Sequence, residues 1–168
     1  DPYFMPRLMV GGAAAADVDG DDDLDVILLD GAEGLGIRLF RNDDGTFADA
    51  TGGAGLENPA LGMGCAVGDV DNDGDVDLFI TNYGRDRLYR NDGGVFTDVS
   101  DAAGIVGAEW GASAAFLDFD RDGWLDLYVA NYLDIDEDHE CLDDAGRQDF
   151  CGPDFPGQRD RLYRNEGD

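Results

Sequence analysis

A nine-residue phrase with aspartate at its first, third, fifth and ninth positions occurs three times in the chain, and it constrains the fold more than any other feature. The copies are Asp17-Val18-Asp19-Gly20-Asp21-Asp22-Asp23-Leu24-Asp25, Asp69-Val70-Asp71-Asn72-Asp73-Gly74-Asp75-Val76-Asp77 and Asp118-Phe119-Asp120-Arg121-Asp122-Gly123-Trp124-Leu125-Asp126. Oxygen donors at this density describe a tight cage for a hard cation, and Ca²⁺ is the natural occupant. Without an ion the carboxylates sit within a few ångströms of one another and repel, so the loop is unfinished on its own. The spacing predicts side-chain ligands from positions 1, 3 and 5, a backbone carbonyl at position 7, and a bidentate carboxylate at position 9. Site one is then Asp17, Asp19, Asp21, Asp23 and Asp25; site two is Asp69, Asp71, Asp73, Asp75 and Asp77; site three is Asp118, Asp120, Asp122, Trp124 and Asp126. Trp124 can offer only its carbonyl, which fits position 7. Gly74 and Gly123 suit a left-handed residue at position 6, where site one has Asp22. An EF-hand is excluded, because its position-12 Glu is replaced by Leu28, Ile80 and Val129 inside apolar runs.

The loops begin 52 and 49 residues apart, and a second phrase recurs in step with them: Arg38-Leu39-Phe40-Arg41-Asn42, Arg87-Leu88-Tyr89-Arg90-Asn91 and Arg161-Leu162-Tyr163-Arg164-Asn165. Each unit reads as four short strands. A small-residue strand (Ala13–Val18, Cys65–Val70, Ala112–Leu117) leads into the loop at a place where units crowd together. A β-branched, aromatic-rich strand (Val26–Leu29, Leu78–Thr81, Leu127–Ala130) leaves it, followed by the Arg-Leu-aromatic-Arg-Asn strand. An Asn-Asp-Gly hairpin then turns into the fourth strand, Thr46–Ala50 or Val95–Val99. Four-stranded units at this period are the signature of propeller blades. The expected fold is therefore all-β, with blades over residues 11–55, 62–104 and 110–168, the third incomplete and so part of a propeller. Helical periodicity is absent apart from a turn at Asp101-Ala102-Ala103-Gly104. The recurring arginines are expected to bridge carboxylates between strands or blades.

The third unit carries an insertion, Leu133–Gln158, which holds the only histidine, His139, together with Cys141 and Cys151. These two cysteines lie ten residues apart, which allows a local disulfide, and with calcium loops that points to an oxidising extracellular or periplasmic setting. Cys65, in a run of small residues, reads as a buried apolar side chain. The formal net charge of -28, with arginine the only positive residue, repels nucleic acid and anionic membrane surfaces and favours divalent cations or basic partners. A solvated acidic surface suited to high salt is a further contributor to that charge. No apolar stretch is long enough to span a bilayer. The opening Asp1-Pro2, without Met, is read as a processed or trimmed start.

Catalytic chemistry finds little support. His139 stands alone, Ser100 and Ser113 lack a base, and the repetition of the carboxylates assigns them to metal. Tyr83, Trp110, Trp124 and Tyr132 near the loop ends are expected to pack the blades rather than form a ligand platform. With these motifs in place, the Gly68–Leu78 and Asn91–Val99 phrases resemble FG-GAP/VCBS repeats, the calcium-binding blades also found in integrin α-subunits. Asp126–Tyr132, the Cys141 to Cys151-Gly152-Pro153 insertion and Asp160–Asn165 further resemble bacterial members of the cartilage acidic protein (ASPIC/UnbV) family. The resemblance implies a secreted or surface-exposed propeller that binds a protein or glycan ligand and is not an enzyme. Two alternatives stay open. One is a structural subunit that completes its open blade with a neighbouring chain, through Tyr3–Val10, to give rings or filaments. The other is a hydrolase with a site at the propeller centre.

Overall fold

In the computed structural model, which describes residues 5–29, 36–136, 142, 145–147 and 155–167, three antiparallel sheets follow one another along the chain. The first contains β1 (Gly12–Ala16), β2 (Asp25–Leu29), β3 (Ile37–Asp43) and β4 (Thr46–Asp49), in that spatial order. The second repeats the meander with β5 (Leu61–Gly68), β6 (Asp77–Tyr83), β7 (Arg87–Asp92) and β8 (Val95–Asp98). The third pairs β9 (Gly111–Leu117) with β10 (Asp126–Asn131) and β10 with β11 (Arg161–Tyr163). These are propeller blades, and each acidic loop joins the first two strands of its own blade. The sheets stay open and do not close on themselves.

Strand alternation decides which face of each blade meets which neighbour. On β6, Leu78 and Ile80 point toward the first blade and join Ile27, Leu29, Leu39, Tyr89 and Phe96 in one core. Phe79, between them, points the other way and joins Leu88, Ile105, Leu127 and Val129 in a second core. The middle blade is therefore buried on both faces, and β6 is covered from Asp77 to Asn82. That is why its sequence reads as an unbroken apolar run rather than an alternating one. The third blade turns Leu127 and Val129 inward and leaves Leu117, Tyr128 and Leu162 exposed on its far face.

The small residues of the first strands have the predicted cause. A Cβ on Gly12 would stand 3.2 Å from the Gly64 Cα, and one on Gly64 would stand 3.1 Å from the Ala112 carbonyl oxygen. So β1, β5 and β9 converge at a separation that larger side chains would prevent. Cys65 lies half-buried on β5 against the first core, and burial pushes its thiol pKa up, as suits an unreactive packing residue.

The N-terminal part departs from expectation. Of the Tyr3–Val10 segment considered as a strand donor, Met5–Leu8 forms a single helical turn, and Val10 packs beside Met63 and Trp110. Residues 101–104 form the expected turn, with the Ala103 N–H on the Val99 carbonyl at 2.9 Å.

The insertion grows from a turn that the second blade uses without it. There, the Asn82 N–H donates to Asp86 Oδ1 at 2.8 Å and the Asn82 amide donates to the Arg85 carbonyl at 2.8 Å. In the third blade Asn131 repeats both bonds, to Asp160 Oδ1 at 2.9 Å and to the Arg159 carbonyl at 2.7 Å, across the inserted residues. The stem is a short antiparallel ladder, with Asp134 N–H on the Pro156 carbonyl and Gln158 N–H on the Tyr132 carbonyl. Tyr83, Trp110 and Tyr132 stack edge-to-face beneath it, with centroids 5.7 and 5.0 Å apart, so these rings pack the blades as expected. Asp138, His139, Glu140, Cys141 and Cys151 lie outside the described residues, and with them the proposed disulfide.

Candidate metal centres in the blade loops

Each loop is shaped first by its position-1 aspartate. Asp17 Oδ1 accepts the N–H groups of Gly20 (2.8 Å) and Asp21 (3.2 Å), and its Oδ2 accepts that of Asp22 (2.9 Å). Asp118 repeats this with Arg121, Asp122 and Gly123, and Asp69 with Asp73 and Gly74. A chain wound so tightly around one carboxylate needs left-handed residues. Position 6 is left-handed in all three loops, with φ of 71° at Asp22, 100° at Gly74 and 93° at Gly123. So is position 4, at Gly20 (78°), Asn72 (58°) and Arg121 (65°), where nothing in the composition of the third loop signals it. Position 5 closes the curl by accepting the position-7 N–H: Asp21 from Asp23, Asp73 from Asp75, and Asp122 from Trp124.

The carboxylates so gathered converge. Asp17, Asp19 and Asp25 each place an oxygen within 4.8 Å of the others, as do Asp69, Asp71 and Asp77, and Asp118, Asp120 and Asp122. Burial, followed by the charge of Asp21, raises the pKa of Asp19; burial and Asp73 do the same to Asp71. Asp17 behaves oppositely, because its backbone N–H donors outweigh the burial that works against its ionisation. One oxygen of Asp19 is buried with no hydrogen-bond partner in the protein. A buried, unpartnered carboxylate oxygen among like charges is the donor set a hard cation satisfies, and the residues present fit one.

Position 7 divides its labour. The Asp23 and Asp75 side chains turn away from the cage and accept the N–H groups of Asp44 and Gly93 in the hairpin after the third strand, both at 2.8 Å. Trp124 in the third blade instead packs against Gly167, where a Cβ would overlap its ring. The Asp23 and Asp75 side chains are thus spent on the hairpin.

Position 9 holds more than a metal-ligand reading gave it. Asp25, Asp77 and Asp126 are fully buried, and both oxygens of each accept a backbone N–H. One donor is position 2 of the same loop: Val18 (3.0 Å), Val70 (2.8 Å) and Phe119 (3.0 Å). The other is the asparagine that ends the Arg-Leu-aromatic-Arg-Asn phrase: Asn42 (2.9 Å), Asn91 (2.8 Å) and Asn165 (2.9 Å). Burial pushes Asp77 up to about 6 against these two bonds. In the third loop Asp126 stands outside the converging group, which Asp118, Asp120 and Asp122 form alone.

The sequence places these asparagines at the hairpin turn. They do serve it, with Asn42 Oδ1 on the Gly45 N–H and Asn91 Oδ1 on the Gly94 N–H. The bonds to position 9 come from their backbone N–H groups, which any residue but proline could supply, so nothing in the sequence signals them. The arginines divide into two sets. Arg38 and Arg87 bridge the third and fourth strands to Asp49 (2.6 Å) and Asp98 (2.5 Å), and Arg161 pairs with Glu109. Arg41 lies 3.2 Å from Asp19, and Arg164 lies 2.7 Å from Asp120, so this set offsets part of the loop charge.

A model of the FG-GAP-like repeat matches residues 17–80 and again residues 69–129, each match running from one acidic loop into or through the next blade. A search of curated proteins returns no match. Loops, blades and matched repeats coincide over most of the chain, and it belongs to the FG-GAP-like repeat family.

Proposed function

We propose that the chain is a calcium-stabilised, non-enzymatic propeller segment that works outside the cytoplasm as a binding or adhesion scaffold. The carrying observation is the convergence of three carboxylates in each of three loops, with a buried Asp19 oxygen that no protein group satisfies. All the converging donors are oxygens, and flexible carboxylate-rich loops of this kind suit Ca²⁺, which tolerates irregular geometry, better than Mg²⁺, which demands a near-ideal octahedron. Calcium here orders loops that would otherwise repel themselves open. The resemblance of the insertion to the cartilage acidic protein family supports a secreted or surface setting. Because the loops recur and the insertion does not, ligand choice falls to the unrepeated part of the chain. There, Glu109, Asp134, Gln158, Arg159 and Arg161 line a cleft of about 490 Å³ at the insertion stem, suited to a protein or glycan ligand.

Isothermal titration of the metal-free protein with CaCl₂, paired with melting curves, tests the metal reading. Calcium at about a hundred times its dissociation constant stabilises by about 2.7 kcal/mol per independent site. Absence of any calcium-dependent rise in melting temperature overturns the reading.

A second reading, a structural subunit that joins other copies, is favoured by one observation. Leu117, Tyr128 and Leu162, exposed by 40%, 40% and 51%, form an uncovered apolar face on the third blade. Light scattering over a range of concentrations separates the two. The scaffold reading expects a monomer, and a Leu162→Asp-sensitive oligomer supports the subunit.

A further inference from the structure

The three buried position-9 carboxylates are links in one hydrogen-bonded chain that crosses both blade interfaces. Asn91 donates its backbone N–H to Asp77, at the base of the second loop, and its side-chain amide to the Val18 carbonyl, in the first loop, at 2.8 Å. The N–H of Val18 in turn donates to Asp25. Asn165 repeats the arrangement one blade later, with its N–H on Asp126 and its amide on the Val70 carbonyl at 2.7 Å, while the Val70 N–H donates to Asp77. The path therefore runs Asp25, Val18, Asn91, Asp77, Val70, Asn165, Asp126 without a break. Asn91, Asp25, Asp77 and Asp126 along it are fully buried and Val18 is 1% exposed, while Val70 and Asn165 are partly buried, so water is kept from the bonds at the first interface more completely than from those at the second.

The link enters each loop at a telling place. Val18 and Val70 are position 2, between the ligand residues at positions 1 and 3. Their peptides belong to the same turn of chain that carries those ligand residues, so the order of one bears on the order of the other. An ordered first loop fixes the Val18 carbonyl, which fixes Asn91, which fixes one oxygen of Asp77. The second loop then has less to order when it takes up its own ion. Ordering that one ligand has already supplied lowers the cost for the next, and such coupling is reciprocal. The first blade provides an internal comparison, because the Asn42 amide donates to Leu24 within its own loop.

We infer that Asn91 and Asn165 couple neighbouring metal loops, so that the three blades take up calcium with positive cooperativity. The inference rests on the metal reading above and is separable from it. The experiment follows calcium titrations by NMR on the full chain, using the amides of Gly20, Gly74 and Gly123 to report each loop separately. Disabling loop one with Asp19→Asn and Asp21→Asn is expected to weaken calcium binding at Gly74 by about fivefold or more, the lower end of ordinary coupling. In an Asn91→Ala background the same lesion should leave Gly74 affinity unchanged. Asn42→Ala should preserve the dependence. An affinity at Gly74 that ignores the state of loop one overturns the inference, and so does a dependence that survives Asn91→Ala. Should Asn91→Ala fail to fold, the same logic is read at Gly123 with Asp71→Asn and Asp73→Asn against Asn165→Ala. Independent binding in all three loops sinks the coupling and leaves the metal reading intact; no binding in any loop sinks both.

Discussion

Among single residues, the carboxylates away from the loops make the clearest prediction about acid. Asp86 is pushed up to about 7 by burial, with the nearby Glu109 adding to the effect against the Asn82 N–H that favours its charge. Asp49 is held down at about 2 by hydrogen bonds from Thr51 and Arg38. The signs are opposite. A folded state that binds its Asp86 proton more tightly than the unfolded chain gains stability as pH falls from about 7 toward 4. Asp49 contributes stability that is present above its ordinary range near 3.8 and lost as pH falls toward 2. The melting temperature of metal-free protein should therefore rise on mild acidification and drop on strong acidification. Asp86→Asn keeps an oxygen for the Asn82 N–H and should flatten the rise while raising stability at pH 8. An unchanged slope in that variant would remove Asp86 as its source. None of this was legible in the sequence, where Asp86 looks like one more acidic turn residue. Its burial is created by the third blade, whose Gly111 brings its Cα close enough that a Cβ would stand 2.8 Å from Asp86 Oδ1.

Among the elements, the blades were readable because each strand obeys a local rule that the fold does not override. The apolar run of β6, the Asn-Gly hairpins and the small residues of β1 and β5 all point the same way. The connections were less legible. Residues 50–60 run along the second blade rather than merely linking it, with the Phe96 N–H on the Ala54 carbonyl at 2.8 Å and the Tyr89 hydroxyl on the Glu57 carbonyl at 2.6 Å. Gly55 sits in this seam at a φ of 75°, and a Cβ there would overlap the Phe96 carbonyl oxygen. Gly55→Ala should cost about 3 kcal/mol, from left-handed strain plus a backbone clash, measurable by urea denaturation. A loss under about 1 kcal/mol, the size of a simple glycine effect, would mean the seam yields easily. The left-handed position 4 escaped for a related reason: Arg121 has no intrinsic preference for that conformation and is forced into it by the N–H groups that surround Asp118. The position-9 aspartates were found, but only as ligands, because a spacing rule cannot see that a strand from farther along the chain brings its own N–H to them.

For the whole molecule, the excess negative charge makes salt and calcium partial substitutes. The screening length falls to about 3 Å at 1 M salt, shorter than the 4.8 Å within which the carboxylate oxygens of one loop gather. Raising NaCl should stabilise the metal-free protein and shrink the additional gain from CaCl₂, whereas a gain independent of ionic strength would assign the calcium effect to coordination alone. The insertion has a different consequence. Because Asn131, Arg159 and Asp160 rebuild the turn that Asn82, Arg85 and Asp86 make without it, the two ends of the 26-residue Leu133–Gln158 insertion meet at a turn that the blade can close on its own. Replacing them with a single glycine would give Tyr132-Gly-Arg159-Asp160, a copy of Tyr83-Gly84-Arg85-Asp86. That variant should fold with its three loops still taking calcium, at a modest cost from losing the Gln158 bond to the Trp110 N–H and the packing of Leu133 and Ile135. A propeller built this way can lose or exchange that excursion as a cassette while the chassis stays the same.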